Sequence, residues 1–300
     1  MDRLVIETDA LYRRFGNRLA VDDLHLAVPA GSVYGFLGPN GAGKTSTIRM
    51  LLGLLRPTSG TVRLFGKDIR EGSPLGRIGA LVESPSLYPH LTGEENLRHA
   101  CLLKNVPQAD ISRVLRIAGL TADAERLVKT YSLGMKQRLG LAQALLGNPD
   151  LVILDEPTNG LDPMGIQEFR ILLRDMPAEH GITVFLSSHL LAEVEQVAGY
   201  LGILSCGQLQ FQGTAEELKA RREPVVRVGV ERPGDAARAL CHLGYKAVAE
   251  EPHCLRVRAS GERTAADVNR LLVERGFAVD ALAQEQPSLE QMFLHLTKTV

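Results

Sequence analysis

Gly38 is followed, after four intervening residues, by Gly43, Lys44 and Thr45, in the stretch Gly38-Pro39-Asn40-Gly41-Ala42-Gly43-Lys44-Thr45-Ser46. Small residues at this spacing let successive backbone N–H groups turn inward around phosphate oxygens. Lys44 is then placed to reach the outer phosphates, and the Thr45 hydroxyl is a candidate Mg2+ ligand. The competing reading is a bland glycine turn. Against it, the loop lies between a β-rich apolar run, SVYGFLG, and KTSTIRMLLGLL, whose apolar residues recur at helical spacing.

A second constellation fits the same chemistry. LVILDEP buries four apolar residues and ends in Asp155, which can hold an Mg2+ shell, and Glu156, which projects towards a γ-phosphate as the group that would deprotonate an attacking water. A solvated acidic turn is the bland alternative. His189 follows the strand pattern TVFLSS at the carboxyl edge of a sheet, where ligands of open α/β folds bind, although a lone His is more often structural. Finally, YSLGMKQR puts Ser132 and Gly134 at the start of a helical run, so the chain carries a second anion-binding helix start; a simple helix cap is the alternative.

These residues need elements to position them. Strand patterns at 32–38, 151–155 and 183–188 alternate with helical patterns, which predicts an α/β fold with a mostly parallel sheet covered on both faces. Residues 84–148 read as a helical insertion, with ENLRHACLLKN and ADISRVLRIAGL its clearest pieces. Near RREP the pattern changes to VVRVGV, a helix, a hairpin, a second helix and FAVDAL. That order, βαββαβ, predicts a small α+β ferredoxin-like accessory domain over 221–300, after a first domain over 1–220. The tail PSLEQMFLHL predicts a helix with a capping box from Ser288 to Gln291 and one stripe of Leu289, Met292, Phe293 and Leu296.

The balance of 34 basic against 35 acidic residues gives no global field for nucleic acid or an anionic membrane. MDRLVIETDA lacks the features of a secretory signal, and Gly, Pro or charge interrupts every apolar run before it could span a bilayer, so a cytoplasmic location is expected. Cys101, Cys206, Cys241 and Cys254 show no CxxC spacing and are expected to be reduced packing residues.

Taken in order, GPNGAGKT, YSLGMKQR, LVILDEP, NGLDP and SSHL resemble the nucleotide-binding subunit of an ATP-binding cassette (ABC) transporter, a P-loop NTPase, over about residues 1–220. PSLEQMFLHLT resembles the ending of drug and peptide exporter ATPases of that family. The resemblance implies that two copies face each other head to tail, a homodimer with ATP and Mg2+ between the Gly38–Ser46 loop of one and Ser132, Gly134 and Gln137 of the other. It implies that Phe15 stacks on adenine, a core aromatic being the alternative. It further implies that Asp162 links the two sites and that His189 contacts the γ-phosphate. The leading residues Tyr131-Ser132-Leu133-Gly134 replace the commoner Leu-Ser-Gly-Gly. Glu83 stands where the family usually has a glutamine reaching towards Mg2+, which is similar to bacitracin-type and lantibiotic-immunity exporter ATPases.

The implied function is ATP hydrolysis that powers a separate integral membrane permease from the inner face of the cell membrane, exporting a drug or antimicrobial peptide. Leu87, Tyr88 and Leu91, in SPSLYPHLT, are expected to offer the permease a docking surface or else to pack on the helical insertion. A soluble cassette ATPase acting on ribosomes or DNA is the rival, but its usual second cassette, coiled-coil insertion or zinc cysteines are not in this sequence, and no nucleic-acid partner is expected. A nucleotide-gated binding module without turnover is a third reading, which Glu156 and His189 disfavour.

Overall fold

The structure, a computed structural model, describes residues 3–72, 74–221, 225–250, 253–258, 264–285 and 288–298. The chain forms two compact units, Met1–Ala215 with Leu296–Val300, and Glu216–His295. The division falls at the start of the helix Ala215–Ala220, ahead of the change of pattern near 221. Of RREP itself, residues 222–224 lie outside the described residues.

The first unit opens with β1 (Leu4–Phe15), β2 (Arg18–Leu24), β3 (Ala27–Pro29) and β4 (Val33–Leu37), then α1 (Lys44–Leu51), β5 (Ser59–Leu64), β6 (Lys67–Asp68) and β7 (Ile78–Leu81). The helical insertion follows as α2 (Gly93–Lys104), α3 (Ile111–Ile117) and α4 (Leu133–Leu145). The chain then returns through β8 (Leu151–Asp155), α5 (Pro163–His180), β9 (Thr183–Ser188), α6 (Leu191–Val194), β10 (Tyr200–Ser205) and β11 (Gln208–Thr214).

One sheet has the order β11-β10-β4-β9-β8-β7 and is parallel except for the β10–β11 hairpin. Every residue of β4, β8 and β9 is buried, as a parallel sheet covered on both faces requires. Tyr34 stacks on Phe185 with ring centroids 5.5 Å apart, and Phe36 lies 5.3 Å from the same ring, so neighbouring strands share an aromatic core. A second sheet, antiparallel, joins β1 to β2, β3 and β5, with β6 at its edge.

The insertion is held by local chemistry. Thr92 and Glu95 form a capping box at the start of α2, and Asn96 in the next turn bonds Tyr88 N, Tyr88 O and Thr92 O. Tyr88 meets His99 edge-on at 4.8 Å, while Leu87 and Leu91 are half-buried, so this loop packs on the insertion and leaves the Tyr88 ring 43% exposed. α4 lies close against the loop after β7: a Cβ on Gly140 would stand 2.7 Å from Pro85 Cγ.

The second unit has the order strand Val225–Val230, helix Pro233–Cys241, strands Lys246–Glu250 and Cys254–Arg258, helix Ala265–Glu274 and strand Val279–Glu285. Its antiparallel sheet places the four strands in the order second, third, first, fourth, and Val226, Val228, Leu255 and Val257 pack against Leu240, Val268 and Leu272 of the helices. The hairpin turn at 251–252 lies outside the described residues. The final helix, Leu289–Lys298, starts with reciprocal Ser288 and Gln291 bonds and buries Leu289 and Phe293.

Candidate active site

The glycine loop joins the end of β4 to α1. Gly43, at φ +112°, is in a region closed to most side chains, and a Cβ there would meet Ala20 O at 2.3 Å; one on Gly38 would meet Leu204 O at 2.5 Å. No side chain caps α1. Its first N–H groups are thus left to an anion, with the helix dipole behind them.

Lys44 is 6% exposed and donates to Gly38 O at 2.7 Å and Pro39 O at 3.3 Å. Its Nζ also lies 3.2 Å from Glu156 Oε1, an ion pair off hydrogen-bond geometry, so that Oε1 has no hydrogen-bond partner among the described residues. Glu156 Oε2 lies 2.8 Å from His189 Nδ1. Three elements therefore converge on one carboxylate: α1, the end of β8 and the end of β9.

Glu156 holds a left-handed backbone, φ +49°, which costs a non-glycine residue about 1–2 kcal/mol. The surroundings enforce it. Glu156 N–H donates to Ser187 Oγ at 3.0 Å, and the same hydroxyl donates to Asp155 Oδ1 at 2.6 Å. Ser187 was missed in the sequence, where it is one of two serines in a buried strand. Its hydroxyl orients both acidic residues and engages one Asp155 oxygen.

An open cavity of about 350 Å3 is lined by Phe15, Arg18, Ala20, Asn40, Gly41, Gly43, Lys44, Thr45, Ser46 and Glu156. Phe15 is 45% exposed at the end of β1, with the Arg13 guanidinium 4.4 Å over its ring, so it stands at the rim rather than in the core. A second cavity, about 320 Å3 between α3 and α5, is lined by none of the candidate site residues.

Other candidate residues stand elsewhere. Ser132 caps α4 by accepting from Met135 N at 3.2 Å, and Gly134 follows in the first turn. Gln137 is 6% exposed, and its Oε1 is buried without a partner among the described residues. Asp162 caps α5 by accepting from Gly165 N at 2.9 Å. Leu133 and Leu161 touch this pair of helix starts: a Cβ on Gly160 would lie 3.2 Å from Leu133 Cδ2, and one on Gly134 3.9 Å from Leu161 Cδ2.

Glu83 is not brought to the carboxylate cluster. It is exposed, φ +65°, and its carboxylate is bonded by Arg49 of α1. Glu83 is therefore paired with Arg49 here, 34 residues away in sequence.

Among the described residues no group of three or more His, Cys, Asp or Glu could hold a metal. The hard oxygens of Asp155 and Thr45 fit Mg2+, which keeps water and phosphate oxygens in its shell and needs few protein ligands. The glycine cradle and the uncapped α1 fit a polyphosphate.

Comparison with known proteins agrees with this geometry. The family described as ABC transporter matches residues 21–159. The chain is 41% identical over 299 residues to the bacitracin transport ATP-binding protein BcrA of Bacillus licheniformis, covering 97% of each chain. It is 39% identical over 205 residues to the lantibiotic transport ATP-binding protein SrtF of Streptococcus pyogenes, covering 68% of this chain and 89% of that one. Among solved structures, cbiO1 of Clostridium perfringens, part of an ABC transporter complex, superposes with a TM-score of 0.68 at 26% identity, covering 74% of this chain and 92% of its own. The chain belongs to the ABC transporter ATP-binding family and is a P-loop ATPase.

Proposed function

We propose that the chain powers export of a peptide antibiotic of the bacitracin or lantibiotic kind, acting on a separate integral membrane permease at the inner face of the cell membrane. One observation carries this reading: the 41% identity to a bacitracin transport ATP-binding protein runs over 97% of both chains, through the second unit as well as the cassette. Among the described residues no helix is long and apolar enough to cross a membrane, so a transport role requires a partner that does. The loop around the half-exposed Tyr88, braced by Asn96, is the proposed docking surface for that partner. The second unit is proposed as an accessory domain.

The residues act as follows. Phe15 offers a flat face for adenine, and Gly38 to Ser46 turn N–H groups towards the phosphates. Lys44 exchanges Gly38 O, Pro39 O and Glu156 Oε1 for phosphate oxygens, and Glu156 Oε1, already without a hydrogen bond, is then free to take the proton of the attacking water. His189 holds the other oxygen of that carboxylate and presents its remaining ring nitrogen towards the γ-phosphate. Mg2+, held by Thr45 and Asp155, would supply charge neutralisation on the transferred phosphoryl group.

Ser132, Gly134 and Gln137 complete the pocket from a second copy, in a homodimer closed by ATP, with Asp162 at the junction between the two sites. The α4 start is one half-site and the glycine loop the other.

Co-expression with a multi-span permease of the bacitracin-exporter kind, in a bacitracin-sensitive bacterium, tests the export reading. The pair is expected to raise the inhibitory concentration of bacitracin or a lantibiotic, and Lys44→Ala to abolish the gain. No protection by an expressed, assembled pair would overturn the substrate class.

A further inference from the structure

Glu193 is a glutamate on α6 that is only 8% exposed, and it accepts a hydrogen bond from Thr158 Oγ1 at 2.5 Å. Thr158 is equally buried, at 8%. A carboxylate shut away from water is costly unless something bonds it, and a hydroxyl donating to it makes a short, strong bond. Neither residue takes part in binding or proton transfer as described above.

Their positions give the bond a purpose. α6 begins right after His189 and is seated firmly on the sheet: a Cβ on Gly35 of β4 would fall 2.0 Å from Val194 Cγ1, so glycine there lets α6 pack directly against the strand. Thr158 lies in the turn that follows Glu156, where Asn159 N bonds Glu156 O and Leu161 N bonds Thr158 O, both at 3.1 Å, just before Asp162 caps α5. The segments after β8 and β9 are thus tied twice, by Ser187 and His189 at the strand ends and by Glu193 beyond them.

We propose that Glu193 and Thr158 are positioning residues that lock the turn from Glu156 to Asp162 onto the His189 segment, so that the general base and the residue at the subunit junction keep one geometry through turnover. The inference rests on Glu156 being that base. Without the bond the turn still folds, but Glu156 samples orientations unsuited to the water.

The test measures ATP turnover, ATP affinity and melting temperature of the full chain in Thr158→Val, Thr158→Ser, Glu193→Leu, the double variant Thr158→Val/Glu193→Leu, and Glu156→Gln. Thr158→Val is expected to lower kcat about tenfold or more, with KM for ATP within about twofold. Thr158→Ser, which keeps the hydroxyl, restores turnover, and the double variant falls no further than the worse single one, as members of one contact do. Parent kcat in Thr158→Val, additive losses, or a kcat that merely follows the melting temperature would overturn the proposal. Should Thr158→Val not fold, Glu193→Leu, which removes the acceptor, decides, a fall in kcat at unchanged KM supporting the lock and a parent kcat rejecting it. Parent turnover in Glu156→Gln rejects the assignment of the base; its loss alongside parent turnover in Thr158→Val rejects only the lock.

Discussion

His189 Nδ1 stands 2.8 Å from Glu156 Oε2, on a carboxylate whose other oxygen faces Lys44 Nζ at 3.2 Å. A carboxylate squeezed between an ammonium and an imidazole is held still, and as the proposed base it would also be held back. Its strained backbone, φ +49°, and the Ser187 hydroxyl on its N–H fix where it points, and in the proposed mechanism the ion pair to Lys44 would keep it engaged until phosphate oxygens compete for that cation. In that mechanism, binding and activation of the base would be linked through one lysine.

Glu156→Gln keeps the side chain's shape and removes its ability to accept a proton. Turnover is expected to fall by about 10²–10⁴-fold with ATP affinity retained. Size-exclusion chromatography with ATP should then show an accumulated closed dimer. Turnover at the parent rate would remove Glu156 as the base.

Ser187→Ala deletes an acceptor for Glu156 N–H and a donor to Asp155 Oδ1 together. A loss of about 1–3 kcal/mol in denaturant unfolding is expected, since a buried donor is left without a partner. The Mg2+ concentration for half-maximal turnover should rise as Asp155 loses its orientation. An unchanged Mg2+ titration would separate Ser187 from the metal site.

Glu83→Gln breaks an exposed pair with Arg49, at side-chain exposures of 64% and 46%. Such a pair contributes about 0–1 kcal/mol, so the melting temperature should hardly move. If Glu83 leaves Arg49 to act near the metal, the variant changes the Mg2+ response or the coupling to transport more than the ATP affinity. Unchanged transport and metal response would remove it from the site.

Asp110 ties the insertion together: it pairs with Arg113 and accepts Gly147 N at 2.8 Å, while Arg113 also bonds Leu145 O at the end of α4. Burial alone would raise this carboxyl, but the Arg113 bond and the Gly147 N–H outweigh it and hold it below the usual range. A carboxyl lowered in the fold stabilises above its unfolded value, near about 3.9, and that contribution fades as pH falls through the folded one. Asp110→Asn should therefore cost about 1–2 kcal/mol at neutral pH and progressively less under acid, as read by urea unfolding across pH. A cost independent of pH would contradict this.

What could be read in advance followed from how local each signal is. Lys44, Asp155, Glu156 and His189 belong to short stretches whose neighbours already imply strand ends and a helix start. Ser187 and Glu193 do not: their partners lie 31 to 35 residues away, and a serine in a strand or a glutamate on a short helix carries no local mark of its bonds. Glu83 was placed by the run of residues around it, but a backbone turn at φ +65° and Arg49, 34 residues earlier, decide where its carboxylate goes. The antiparallel sheet around β1 was not foreseen either. Its alternation is broken by Ala10 at φ +43° and by register shifts between Leu11 and Arg14, so the period of two is lost midway along the strand.

The shared pocket is tested most directly by mixing two proteins that are each defective in one half. Lys44→Ala spoils the glycine loop, and Ser132→Arg spoils the facing helix start. Each alone should be inactive, and mixing under conditions where subunits exchange should restore ATP turnover, because the mixed dimer holds one pocket with both halves native. Full turnover by the homogeneous Ser132→Arg protein, or no recovery once mixed dimers are shown to form, would contradict the account.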